Sequence, residues 1–154
     1  MTARLLAASI AASPLAAAAH AQLPPPPQDG VSADLDCASV YVSMGALSAG
    51  LAGEETREPF SARAHAAIRA HVSANPPAAG QDEASYQAFL NEAIQRWSRG
   101  LGAGMEQLQS LGGPSSPEGM AGFIRLGNIA WDAVQACDAR YGHAPLPSPF
   151  SWID

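Results

Sequence analysis

The stretch "DLDCASVYVSMGALSAGL", residues 34–51, decides the fold of this chain because it sets an apolar helix face and places a cysteine at its start. The apolar residues that recur at steps of three and four are Cys37, Val40, Tyr41, Met44, Leu47 and Leu51. This spacing predicts a helix over about 33–52 with one buried face. Ser32 can cap the first turn, where the helix dipole also favours the negative charges of Asp34 and Asp36.

Two further segments show helical spacing. The first covers about 58–73, and its inward positions are Phe60, Ala64, Ala67, Ile68 and Val72. The second begins after Gln81 or Asp82 and keeps its apolar pattern through Leu111. Within it, "GLGAG" at 100–104 weakens the helix, because each glycine costs about 1 kcal/mol against alanine. We therefore expect either a kink or a separate short helix at that point.

A fourth helix is predicted to end at Gly142, since glycine commonly follows a helix C-terminus. Its start has two interpretations. Ser115 followed by Glu118 matches a capping box, whereas Ser116 followed by Pro117 places proline at the first helical position.

The predicted fold is an all-α, antiparallel four-helix bundle, with a fifth short helix if the third one breaks. No run of β-branched residues alternates with the period of two that a strand requires. The bundle domain covers 32–142. Residues 143–154 form a proline-rich tail, which we expect to pack on the bundle through Phe150, Trp152 and Ile153.

The N-terminal residues are typical of a secretory signal peptide over 1–21. Arg4 supplies the positive charge, a short apolar core follows, and "AHA" at 19–21 fits a cleavage site after Ala21. Residues 22–31 are a proline-rich, flexible lead-in to the domain. We therefore expect a periplasmic or secreted protein.

The charge of the chain excludes some function classes. Removal of residues 1–21 leaves seven arginines, no lysine and fourteen acidic residues, a net charge of −7 with histidine neutral. Such a chain has no basic patch for nucleic acid and no basic amphipathic face for anionic lipid. No segment beyond the signal peptide is expected to be long or apolar enough to span a membrane, so we predict no stable membrane insertion after cleavage.

Cys37 and Cys137 are predicted to form a disulfide. Oxidising compartments favour pairing, and an up-down-up-down bundle places the start of helix 1 beside the end of helix 4. The bridge would close a loop of about 100 residues and stabilise the fold by up to about 4.7 kcal/mol in the chain-entropy model. A catalytic thiol is less favoured because two adjacent carboxylates oppose its ionisation, and a zinc site lacks further ligands at suitable spacing.

This pairing makes a geometric prediction about two glycines. If position 37+n faces position 137−n, then Gly45 falls near Ile129 and Gly127 near Leu47. We expect a close contact between helices 1 and 4 there, since close approach is a reason to accept glycine inside a helix.

No residue is assigned to catalysis, to a cofactor or to a metal. His65 and His71 are six residues apart, so they lie on different faces of helix 2 and form a poor metal pair. A non-covalent haem held by Met44 and a histidine is an alternative, although methionine in an apolar stripe usually packs in the core. "GLGAG" follows a helix rather than a strand, which argues against a nucleotide loop.

The predicted function is binding, either of a protein client or of a small apolar ligand between helices. In composition the chain resembles small exported helical proteins of bacterial envelopes, a resemblance that carries no motif and transfers no residue. The alternative is an enzyme with scattered residues, for which His65 or His71 would have to meet Glu92 and Arg96 in one concave site.

Overall fold

The computed structural model describes residues 33–150, which are mostly helical and contain no strand. The helices are α1 (Ala33–Ala52), α2 (Glu58–Ala74), α3 (Glu83–Ile94), α4 (Arg96–Ser110) and α5 (Pro117–Tyr141). Short 3₁₀ turns over Glu54–Arg57 and Gly113–Ser115 precede α2 and α5. The predicted all-α class is confirmed. The predicted signal peptide, the lead-in, the Ser32 cap, Trp152 and Ile153 lie outside the described residues.

α1 is the central element, because each of the other four α-helices packs against it. The sequence pattern predicts one buried face, but the structure buries most of the helix circumference. Leu35, Ser39 and Ser48 are buried although they lie outside the predicted face, whereas Leu51 is 42% exposed. No charged residue occurs between positions 37 and 53, so other helices can surround this segment without removing a charge from water.

The same apolar character gives α1 the length and composition of a membrane-spanning helix, alone among the helices of the described part. The expectation that no segment beyond the signal peptide has these properties is therefore wrong. A buried core helix has them too, and 61% of the apolar window of α1 is buried inside the fold.

The break in the predicted third helix lies at Gln95, not in "GLGAG". α4 runs through residues 100–104 without interruption. Ser39 of α1 stabilises the break: its hydroxyl donates to the carbonyl of Ile94 at 2.6 Å, and its oxygen accepts from the backbone N–H of Trp97 at 2.9 Å. Backbone groups that lose their helical partners need such substitutes, and here a neighbouring helix supplies them.

The ends of α5 agree with one of the two predicted starts and with the predicted stop. Ser116 is the N-cap, and its side chain accepts from the N–H of Gly119 at 3.0 Å. The alternative capping box of Ser115 and Glu118 is therefore wrong. Gly142 ends the helix with a φ of 64°, a left-handed conformation that glycine adopts without steric cost.

Candidate functional site

A cavity of about 220 Å³ lies between α1, α4 and α5. Its lining is mostly apolar and comes from residues spread over the chain. The lining residues are Ser43, Ala46, Leu47, Ser98, Leu101, Gly102, Met105, Phe123, Leu126, Gly127, Ala130 and Phe150. The cavity opens to solvent on the side of Ala46 and Gly102, which are exposed, and its apolar lining is typical of a small-molecule site.

Small residues at the helix contacts create this space. Ala130 is fully buried, yet it contributes only a methyl group to the wall. A Cβ added at Gly102 would meet no atom within 4 Å. Gly102 is exposed and lies at the solvent side of the lining, whereas Ala130 lies at its buried side.

Phe150, the last described residue, forms one side of the cavity and is 6% exposed. Its ring lies close to the backbone of Gly127, where an added Cβ would come within 3.3 Å of it. It also meets the ring of Phe123 edge to face, with centroids 6.5 Å apart. The C-terminal tail thus folds back at Phe150, and it contributes to the wall of the cavity as well as to the core.

Two serines are the polar side chains of the lining. The Ser43 hydroxyl donates to the backbone carbonyl of Ser39 at 2.7 Å. The Ser43 and Ser98 hydroxyl oxygens are 2.9 Å apart and share a hydrogen bond. The cavity therefore offers one polar point in an otherwise apolar wall, which is the usual composition of a small-molecule site.

The disulfide between Cys37 and Cys137 is confirmed. The two Cα atoms are 5.5 Å apart across a sequence separation of 100 residues, and both side chains are fully buried. Because both sulfurs are bonded to each other, neither a catalytic thiolate nor a cysteine–zinc site is present in this state.

Beside the disulfide lies a buried polar network that the sequence pattern does not reveal. Asp138 is 4% exposed; it accepts from the Tyr41 hydroxyl at 2.8 Å and pairs with Arg63. Arg63 also donates to the carbonyl of Ala144 at 2.6 Å. Burial, together with the bond to Asp138, raises the pKa of Tyr41. A buried tyrosine hydroxyl needs a partner, and that requirement is the one sequence signal for this network.

A histidine lies near this network, since the His143 ring is 6.4 Å from that of Tyr41. The arrangement gathers an acid, an arginine and a histidine, as an enzyme would. However, the Asp138 carboxylate is buried and already engaged by Tyr41 and Arg63. The geometry is that of an internal structural network.

The two acids of "DLDC" bind partners on other helices. Asp34 accepts from the Tyr141 hydroxyl at 2.5 Å and from Arg140 at 3.3 Å, whereas Asp36 pairs with Arg96. Burial and the bond to Asp34 raise the pKa of Tyr141 to about 12. Burial raises the pKa of Asp36 against the opposing effect of Arg96. The helix dipole alone therefore does not account for these acids.

The residues expected to meet in a scattered active site have separate partners. Arg96 pairs with Asp36, and Glu92 pairs with Arg99. His65 is exposed. Among the described residues, no group of three histidine, cysteine or acidic side chains is arranged to hold a metal ion.

Met44, which was considered with an unspecified histidine as a haem ligand, is buried, and so is His71. Met44 is fully buried in the main core cluster, and the His71 ring lies 6.4 Å from Phe89. His71 is 3% exposed, and its Nδ1 has no hydrogen-bond partner among the described residues.

The two glycines expected at the contact between helices 1 and 4 face other parts of the fold. A Cβ on Gly45 would lie 3.1 Å from the Cβ of Phe60, so this glycine permits the close approach of α2. Gly127 faces the Phe150 ring. The structure therefore uses each glycine for a close contact, but with a different neighbour from the one expected.

No family model matches the sequence, and neither a curated protein nor a solved structure matches it significantly.

Proposed function

We propose that this protein is a small exported binding protein that holds a small apolar ligand in the cavity between α1, α4 and α5. The observation that carries the proposal is the cavity itself, with about 220 Å³ of unfilled space and a wall in which only serines are polar. The proposal favours the ligand carrier over the protein-client interpretation.

The cavity volume indicates the size of the ligand. A dry apolar cavity of about 150 Å³ in a protein core binds benzene. Drug-sized ligands occupy clefts of about 300–1,000 Å³. A cavity of about 220 Å³ lies between these values and suits a single substituted ring or a short branched hydrocarbon.

Surface features give less support to a protein client. The large apolar side chains exposed in the described part are Leu51 and Phe89, at 42% and 53%. Single exposed apolar residues are normal on protein surfaces, and a docking surface for helix-binding clients would need a contiguous patch.

We further propose that the helices form an antiparallel four-helix arrangement, in which α3 and α4 together form the third helix. Asp34 bonds to Tyr141 and Cys37 to Cys137, so positions rise along α1 as they fall along α5. Asp36 pairs with Arg96 and Ser43 with Ser98, so α1 and α4 run in the same direction. These directions are the ones expected for helices 1, 3 and 4 of an up-down-up-down bundle.

Export is part of the proposal. A disulfide is typical of an oxidising, extracytoplasmic compartment, and the N-terminal residues fit a signal peptide cleaved after Ala21. A ligand carrier of this kind would act in the periplasm or outside the cell.

Methionine methyl NMR tests ligand binding directly. Met105 lines the cavity, whereas Met120 does not. Titration of the exported, disulfide-bonded protein with toluene should shift the Met105 methyl signal in a saturable way and leave that of Met120 nearly unchanged.

A matched pair of variants distinguishes the cavity from weak binding elsewhere. Gly102→Leu places a side chain beside the cavity, and Gly50→Leu makes the same change in α1 at a position outside the lining; neither Cβ would meet an atom within 4 Å. We expect toluene binding to be lost in Gly102→Leu and kept in Gly50→Leu. If toluene leaves the Met105 signal of the unmodified protein unchanged, the proposed function is wrong.

A further inference from the structure

The hydrogen bonds around the two cavity serines have a fixed direction. The contact between the Ser43 hydroxyl and the Ser39 carbonyl is 2.7 Å. A carbonyl has no hydrogen, so Ser43 must donate in this bond. A serine hydroxyl carries one hydrogen, and that of Ser43 is therefore fully used.

Ser98 must consequently donate in its bond to Ser43. The two hydroxyl oxygens are 2.9 Å apart, and this contact needs one hydrogen that Ser43 cannot supply. Ser98 then has no hydrogen left for a ligand. Its oxygen keeps acceptor capacity, and none of the described residues donates to it.

The hydrogen-bonded series of serines begins at Ser39, and backbone groups of other helices hold this residue in place. The Ser39 hydroxyl donates to the carbonyl of Ile94, while its oxygen accepts from the N–H of Trp97. Both partners belong to the helix break at Gln95, so the position of Ser39 is set by the main chain of α3 and α4. Ser43 is 4% exposed, which leaves little solvent to compete for its bond.

We propose that the cavity selects a small aromatic or aliphatic alcohol, of which phenol is the simplest aromatic example, and that the ligand hydroxyl donates to the Ser98 oxygen. The inference rests on the proposed function, because it specifies the chemistry of the same cavity. The apolar wall takes the ring or hydrocarbon, and the serine pair takes the donor. A ligand that carries only an acceptor, such as an aldehyde, would place its oxygen against the lone pairs of Ser98.

Three ring compounds of similar size separate these possibilities. Phenol carries a donor, toluene replaces the hydroxyl with a methyl group, and benzaldehyde carries only an acceptor. Their dissociation constants are measured from the Met105 methyl shift in the unmodified protein and in Ser98→Ala. Ser110→Ala is the matched control, because Ser110 lies on the same helix, bonds to Gln107 and does not line the cavity.

We expect Ser98→Ala to weaken phenol binding about fivefold, the effect of one neutral hydrogen bond. Toluene binding should stay within about twofold, benzaldehyde binding should not weaken, and Ser110→Ala should change none of the three.

Each of three other outcomes would contradict a different part of the proposals. If toluene binds but Ser98→Ala leaves phenol unaffected, the selection of a donor is refuted while ligand binding stands. If benzaldehyde weakens as much as phenol, the inferred direction of the hydrogen bonds is wrong. If none of the compounds shifts Met105, the proposed function itself fails.

Discussion

The two halves of α1 are stabilised in different ways. The first half, residues 33–42, is joined to its neighbours by the disulfide, by the ion pairs of Asp34 and Asp36 and by the hydroxyl of Tyr41. The second half, residues 43–52, borders the cavity and makes its polar contacts through serine hydroxyls. Charged and covalent links fix the position of the first half, whereas the second half leaves space for the cavity.

This difference indicates how a small helical protein can keep an open cavity. Unfilled space lowers stability, because the surrounding side chains lose packing contacts. Strong links at the disulfide end can offset that loss without filling the cavity. Stability and binding then depend on different residues, and substitutions should separate them.

The largest expected effect is on the disulfide. Replacing both cysteines with alanine, Cys37→Ala with Cys137→Ala, removes a link across 100 residues. We expect the free energy of unfolding to fall by roughly 3–5 kcal/mol, mainly because the unfolded chain regains conformational freedom. Chemical denaturation of the variant and of the unmodified protein, with and without reductant, measures the loss.

Reductant provides the internal control for this experiment. It should lower the stability of the unmodified protein and leave the double variant unchanged. A loss below about 1 kcal/mol would mean that the disulfide end does not carry the stability that the comparison assigns to it.

The second effect concerns the ion pair of Asp138 and Arg63, whose side chains are 6% and 12% exposed. Asp138→Asn leaves the Arg63 charge without its buried counterion, and we expect a loss of about 3 kcal/mol. Adding Arg63→Met should recover much of that loss, because the unpaired charge is then gone. Denaturant unfolding of the single and double variants tests this coupling, and strictly additive effects would contradict it.

Local pattern in the sequence was sufficient for several features. Three- and four-residue spacing predicts α1 over 33–52, and the structure has it at Ala33–Ala52. The pairing of Cys37 with Cys137 follows from compartment and helix order, and it is confirmed. The left-handed stop at Gly142 is confirmed because glycine has a strong local preference there.

Features that depend on distant partners were not predictable from local pattern. The helix break lies at Gln95 because Ser39, more than fifty residues earlier, supplies the missing hydrogen bonds. Asp138 is buried because Tyr41 and Arg63 reach it from other helices. Glycine content alone predicts a break within 100–104, but the packing of α4 against α1 and α5 overrides a propensity of about 1 kcal/mol per residue.

The cavity was also not predictable from the local sequence pattern. Alanine and glycine on a helix face can either bring two helices together or leave a gap, and the outcome depends on what packs opposite. Gly45 shows the first outcome, against Phe60, whereas Gly102 is an exposed residue of the cavity lining.

The smallest expected effect on stability concerns the cavity, and it is a gain in the free energy of unfolding rather than a loss. Gly102→Ala adds a methyl group where no atom lies within 4 Å. It should raise the free energy of unfolding by about 1 kcal/mol, because alanine is the better helix former, and it should weaken toluene binding by reducing the cavity. Gly50→Ala, in an equally open position outside the lining, should stabilise the fold without affecting toluene. A gain in stability at residue 102 that comes with weaker binding would show that the space is kept for a ligand at the expense of stability. Unchanged toluene affinity in both variants would instead place the bound toluene away from Gly102. It would contradict the view that one half of α1 serves stability and the other half serves binding.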